Sequence, residues 1–201
     1  MTENERSTRE ALLLAAIDCI EAHGLDRVTT RMIAECAGAN IASINYHFRS
    51  KQRLIEEALT ATVTHMLEDV RLTIDDASLP FRETLRGVLY YLIAGGLTWP
   101  GITRAHLYRV AVENDYASVS AEAILEAFDR LHARAVAALP DEDPARLRLL
   151  LSDLLAAVML KMLAPGFFAL DERYRPEDKA RCRRLAEHYT DVFYAALAAP
   201  S

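Results

Sequence analysis

From Thr8 onward apolar residues recur at helical spacing: Leu13, Ala16, Ile17 and Ile20 lie at i, i+3, i+4 and i+7. Residues 1–7 are polar and predict a frayed terminus. Gly24 suits a left-handed stop to the first helix, and Leu25 can pack back on its last turn. Thr29 or Thr30 then serves as the N-cap of a short helix through Ile33, Ala34 and Ala37, which Gly38 ends. A second short helix is predicted from about Asn40 to His47, and Ser50 caps a longer one from Lys51 into the low seventies. The pattern predicts further helices over 81–98, 103–114 and 118–139, with a break at Trp99-Pro100-Gly101. In the 118–139 helix the apolar positions are Ile124, Leu125, Phe128, Leu131 and Val136. The helix over 145–164 is apolar almost all round and ends at Pro165-Gly166. After a loop holding Phe167, Phe168 and Tyr174, Pro176 sits at the first position of a last helix that runs to about Leu197. No segment sustains period-2 alternation, so the fold class is all-α. A small N-terminal three-helix unit joins a larger helical domain, with the boundary at 1–50 and 51–201.

Composition supports this reading. Of 201 residues, 52% are apolar and 26% charged, so a mostly disordered chain is excluded. The 7 Gly and 7 Pro are too few for a loop-rich or all-β design. Cys19, Cys36 and Cys182 are far apart with no CxxC pair, which excludes a disulfide framework and fits a cytoplasmic protein. Cys19 and Cys36 read as small buried hydrophobes. Glu3, Glu5 and Glu10 precede the first apolar run, unlike a signal peptide. The longest uncharged stretch is interrupted by Gly95, Gly96, Pro100 and Gly101, so no membrane partner is expected.

The net charge of −6 argues against a chain coated in positive charge, yet the charge is unevenly placed. Between Arg27 and Arg53 stand Arg27, Arg31, Arg49, Lys51 and Arg53 against the single acid Glu35, a local +4. In the same stretch two short helices meet at Ala37-Gly38-Ala39, where glycine and the compact Ala34 permit the close crossing of a helix-turn-helix. Such a unit lays its second helix in the major groove of DNA. Arg and Lys beside Thr29, Thr30, Ser43, Asn45, Tyr46 and His47 suit phosphate clamping and contacts to base edges.

These residues carry a resemblance. Ala16 and Gly24, then Thr29, Arg31, Ile33-Ala34, Ala37-Gly38, Ile44 to Phe48, Ser50-Lys51 and Leu54 follow the N-terminal pattern of the tetracycline-repressor (TetR) family. The resemblance covers about residues 8–55. It implies that Thr29 or Thr30 and Arg31 touch the DNA backbone. It further implies that Ala42, Ser43 and Asn45 face base edges, that Tyr46, His47 and Lys51 bind phosphates, and that Phe48 is core. Two residues depart from the common pattern. Ile44-Asn45 replaces a frequent Leu-Tyr, and Asn can pair with adenine through two hydrogen bonds. Met32 stands where an acid is frequent, so no capping box forms.

Beyond residue 55 there is no GxSxG, P-loop, HExxH or GxGxxG, and the six His are scattered, so neither enzyme chemistry, a cofactor nor a metal site is expected. By resemblance this half senses a small-molecule effector and forms a homodimer. His65, Met66, Tyr90, Tyr91, Trp99, His106, Arg109 and Phe128 are the candidate pocket residues, aromatic and polar groups of the kind that line such cavities. Gly95, Gly96 and the Trp99-Pro100-Gly101 break are expected to supply a mobile segment. A helix apolar on all sides can face its own domain and a partner subunit at once. The candidate dimer interface is therefore Leu151, Leu154, Leu155, Val158, Met159 and Met162, with Tyr189, Val192 and Phe193 from the last helix. The expected partners are a palindromic double-stranded DNA operator, an effector and a second copy of the chain. The expected function is ligand-responsive transcriptional repression. An activator, a partner-gated regulator and a helical small-molecule carrier are the alternatives.

Overall fold

A computed structural model describes residues 3–164 and 179–199. Within them the chain is helical throughout: α1 (Glu3–His23), α2 (Thr30–Cys36), α3 (Ile41–Phe48), α4 (Lys51–Asp75), α5 (Phe81–Thr98), α6 (Pro100–Glu113), α7 (Val119–Ala138), α8 (Pro144–Leu163) and α9 (Lys179–Ala198). The stop at Pro165-Gly166, the aromatic loop and the start at Pro176 lie outside the described residues. Packing divides the chain into two compact units, Met1–His65 with Trp99–Glu122, and Met66–Thr98 with Ala123–Ser201. The expected boundary after residue 50 marks instead where α4 begins.

In the first unit α1 packs on α2, α3 and α6. Leu12, Ala15, Ala16, Cys19 and Ile20 of α1 meet Val28, Ile33, Ala34, Ile44 and Phe48, and Leu54, Ala58, Ile102 and Ala105 complete this core. The buried stripe of α1 is thus rotated by about one residue from the expected one. Leu13 and Ile17 lie on its border, and the small Ala15 and Cys19 are buried in the core. Gly24 and Gly38 have φ of 83° and 62°, the left-handed conformation their turns require. Arg9 lies over the Phe48 ring at 4.9 Å and is ion-paired with Glu57, so α1, α3 and α4 are tied together above the core.

The second unit is built from α5, α8 and α9, with most of α7 and the later part of α4. Phe81 and Phe193 meet edge to face at 6.0 Å. α8 buries one stripe, Leu147, Leu151, Leu154, Val158 and Met162, and leaves Leu149 and Leu160 exposed. α7 buries Ala127, Leu131 and Ala135, whereas Leu125 is exposed and Ile124, Phe128 and Val136 are half-buried.

Gly95 and Gly96, expected in a mobile segment, lie within the continuous helix α5. A Cβ on Gly96 would sit 2.9 Å from Met162 Cγ, so this glycine permits the close crossing of α5 and α8. The break at 99–101 is also shorter than expected. Trp99 alone separates the helices, and Pro100 opens α6 at a position that needs no amide hydrogen.

Candidate nucleic-acid interface

α2 starts at Thr30 because Thr29, in extended conformation, accepts a hydrogen bond from the Met32 amide through Oγ1 at 3.2 Å. Of the two candidate caps, Thr29 is the one in place. Asn40 caps α3 in the same way, its Oδ1 accepting from the Ala42 amide at 2.9 Å. The turn is held by backbone bonds: Ala37 N–H to Ile33 O, Gly38 N–H to Glu35 O and Ala39 N–H to Ala34 O. Ser50 Oγ accepts from the Arg53 amide at 3.2 Å and opens α4.

α3 has two faces. Ile44 and Phe48 are buried and fix its rotation. Ile41, Ala42, Asn45 and Tyr46 are exposed on the other side, with Tyr46 71% exposed. The spacing i, i+1, i+4, i+5 puts these four on one strip. Ser43 and His47 flank it half-buried, with His47 packed edge-on between Tyr46 and Phe48. Lys51, half-buried, follows at the first position of α4. Arg49 ends α3 in the left-handed conformation, φ 66°, its amide donating to Asn45 O.

One member of this surface escaped the sequence reading. Ile41 is a large apolar side chain, 46% exposed, at the head of α3. Its position off the Ile44–Phe48 stripe is the signal that sets it apart from the core. Arg31 is exposed as expected but already engaged, its Nε donating to Glu35 Oε1 at 2.7 Å across one helical turn. This bond and the carboxylate charge raise the Arg31 pKa further. Cys36, expected to be buried, is exposed at the end of α2, because the inward stripe of that helix is Ile33 and Ala34.

The pocket candidates divide between the units. In the first, Arg109 lines a cleft of about 250 Å³ with Glu56, Leu59, Thr60, Asp115 and Ser118 to Ser120. It pairs with Asp115 at 2.5 Å. His106 of the same unit is buried, between Thr62 Oγ1 at 3.1 Å and Ser120 Oγ at 2.8 Å. Trp99 and His65 are exposed. In the second unit Tyr90 and Tyr91 line a cleft of about 340 Å³ with Glu83, Arg86, Arg183 and Glu187. Met66 is half-buried, and half-buried Phe128 lies under the Arg148 guanidinium at 4.9 Å. No cleft described here contains more than two of the eight candidates.

Of the dimer candidates, Leu151, Leu154, Val158, Met162, Tyr189 and Phe193 are buried within the chain. Leu155 and Met159 are half-buried, and Val192 is 45% exposed. Among the described residues no group of three or more His, Cys, Asp or Glu could hold a metal ion. No helix there is long and apolar enough to cross a membrane.

Comparison with known proteins places this surface in a family. Nucleoid occlusion factor SlmA of Vibrio campbellii is 32% identical over 104 residues, 48% of this chain and 49% of that protein. The HTH-type transcriptional repressor KstR2 of Mycolicibacterium smegmatis is 33% identical over 82 residues, 41% of this chain and 40% of that one. The chain thus spans about half the length or less of these curated relatives. The fold extends further. The fatty acid degradation regulator FadR of Bacillus halodurans superposes with a TM-score of 0.72 at 13% identity, over 96% of this chain and 97% of that one. A TetR-like regulator of Rhodococcus sp. RHA1 does so with a TM-score of 0.70 at 18% identity and the same coverage. Residues 12–58, which hold the capped α2–α3 turn and the two-faced α3, match the family of bacterial regulatory proteins, tetR family.

Proposed function

We propose that the chain is a homodimeric, effector-responsive repressor that reads a palindromic DNA operator with α3. The observation that carries this reading is the two-faced α3. Ile44 and Phe48 anchor it, while Ile41, Ala42, Asn45 and Tyr46 stand clear of the protein with Lys51 beside them. Asn45 can address adenine, Ile41 and Ala42 can pack on a thymine methyl, and Thr30, Arg31, Tyr46, His47 and Lys51 can hold phosphates. Two such helices about 34–36 Å apart would span one turn of duplex.

The second copy has a surface to meet. On α8, Leu149, Ala156 and Leu160 are exposed with half-buried Leu155, Met159 and Leu163 beside them. On α9, Leu185, His188, Val192 and Ala195 follow at helical spacing. Apolar side chains left outside the core on two adjacent helices support a four-helix contact across a two-fold axis. Within this contact the residues already buried in the chain act as its backing rather than its face. The effector would occupy one of the two clefts and prefer a conformation with another spacing of the α3 pair, a coupling of about 1–3 kcal/mol.

The test is selection of duplexes from a random pool, titration of the winner against scrambled DNA at fixed salt, and sedimentation of the complex. A palindromic winner bound by two chains is expected. Weak binding indifferent to sequence would overturn the reading. The likeness to nucleoid occlusion factors supports a second reading, in which DNA binding serves that process rather than one promoter. Mapping the selected motif onto the genome separates them: a few promoter sites fit repression, and many dispersed sites fit occlusion.

A further inference from the structure

The cleft of about 340 Å³ between α5 and α9 falls within the size range of small-molecule sites, roughly 300–1,000 Å³. Its two walls differ in chemistry. On α5, half-buried Tyr90 meets Tyr91 edge-on with ring centroids 5.4 Å apart, and Tyr91 is partly open to solvent. On α9, exposed Arg183 stands one turn from buried Ala186 at the base of the same cleft. One concavity thus holds two aromatic rings and an arginine.

The ion pairs of the two helices decide which charge is left over. Their acids are Glu83 on α5 and Glu187 and Asp191 on α9. Arg86 pairs with both Glu83 and Glu187, the latter at 3.1 Å, and Arg82 pairs with Asp191. Each carboxylate is therefore held by an arginine of α5. Glu187 lies four residues after Arg183, a spacing at which the two could pair, but it is turned to Arg86 instead. Among the described residues Arg183 has no ion pair. Lys179, Arg181 and Arg184 share its two helical turns, and the first turn of α9 holds no acid. Positive side chains at the positive end of a helix dipole make this wall favour an anion.

We propose that this cleft binds a small aromatic carboxylate. Arg183 takes the carboxylate through its planar fork of N–H donors, and the ring lies against Tyr90 and Tyr91. Arg86, fixed between two acids, forms a stationary wall rather than a second anchor. The alternatives fit less well. An organic cation would face Arg183 and find Glu83 and Glu187 already occupied. A neutral aromatic would leave the guanidinium without a partner, and an aliphatic acid would lose the contact with the tyrosine rings. Only the use of the cleft as the effector site rests on the function proposed above; the binding does not.

The test is calorimetric titration of the full chain with 2-naphthoate, with its neutral isostere 2-naphthamide and with its saturated counterpart decalin-2-carboxylate. Naphthoate is expected to bind once per chain, and the other two about tenfold or more weaker. Arg183→Gln should weaken naphthoate by about tenfold or more and leave the amide unchanged. Arg184→Gln, an exposed change on the same helix but outside the cleft, should hold naphthoate within about twofold of the unsubstituted chain and so separates the site from a general attraction to positive charge. No naphthoate binding would overturn the proposal. So would equal binding of acid and amide, or equal losses in Arg183→Gln and Arg184→Gln. Binding is read without DNA, so failure of this site and failure of the DNA-binding function are distinguishable.

Discussion

Glu21 of α1 caps a helix that begins 79 residues later: its Oε2 accepts from the Ile102 amide at 2.9 Å. α6 needs this. Its own N-cap position holds Trp99, which makes no side-chain cap bond, and Pro100 has no amide to offer. A carboxylate from α1 satisfies an orphan amide of the first turn and complements the positive end of the helix dipole.

The same junction sets the tolerance at residue 101. A Cβ on Gly101 would lie 2.4 Å from the Glu21 carbonyl oxygen and 2.6 Å from its Cα, both backbone atoms that cannot swing away. Gly101→Ala is expected to destabilise the chain by about 1–3 kcal/mol. Glu21→Ala, which removes the cap but adds no bulk, should cost about 1 kcal/mol. Urea unfolding of each variant measures both. A Gly101→Ala midpoint equal to that of the unsubstituted chain would show that α1 and α6 do not meet this closely.

At α3 the two kinds of contact should separate. Asn45 is exposed in mid-helix, where an amide can address a base edge, and Lys51 begins the next helix, where an ammonium can only neutralise phosphate. Asn45→Ala is expected to lose about 1–3 kcal/mol on the selected duplex and far less on random DNA. Lys51→Ala should weaken both alike and reduce the salt slope by about 0.9. Equal losses on the two DNAs for Asn45→Ala would remove its base-reading role.

Much of this arrangement was legible in the residues. Helix ends were readable wherever a local group determined them. Gly24, Gly38, Asn40 and Ser50 each act within three residues of their own position. Burial was less legible, because apolar size is a poor guide to which side chain sits nearest a neighbouring helix. In α7 the small Ala127 and Ala135 are buried while Leu125 is exposed. Long-range devices left no mark in the pattern. Glu21 reads as a surface acid until α6 lies on it, Gly96 reads as a hinge until Met162 fills the space beside it, and Cys36 reads as core until Ile33 and Ala34 take that face.

Glu35 is expected to restrain DNA binding. It is the one acid between Arg27 and Arg53, and it holds the Arg31 guanidinium that would otherwise be offered to phosphate. Glu35→Gln removes a negative charge from the surface and loosens Arg31. Affinity should rise on operator and random duplexes together, with the salt slope steepening by about 0.9. An unchanged slope would mean that Arg31 stays away from the backbone even when released.

His106 gives the first unit a pH dependence. Thr62 Oγ1 lies within donor reach of the Ala58 and Leu59 carbonyls, so with its proton so placed it can only accept from His106 Nε2–H. Nδ1 then accepts from the Ser120 hydroxyl, and the neutral ring is fully satisfied. Burial lowers the His106 pKa from 6.5 to about 4. The unfolded chain therefore takes up a proton near pH 6.5 that the folded chain refuses until about pH 4. The stability this residue confers is complete above pH 6.5 and is lost progressively as pH falls toward 4. Between pH 7 and pH 5 the loss should reach about 2 kcal/mol. His106→Gln, which keeps a donor and an acceptor but no titrating ring, should lower stability at pH 7 and flatten this part of the profile. Urea unfolding at both pH values compares the two chains, and parallel profiles would show that His106 does not remain neutral in the folded state.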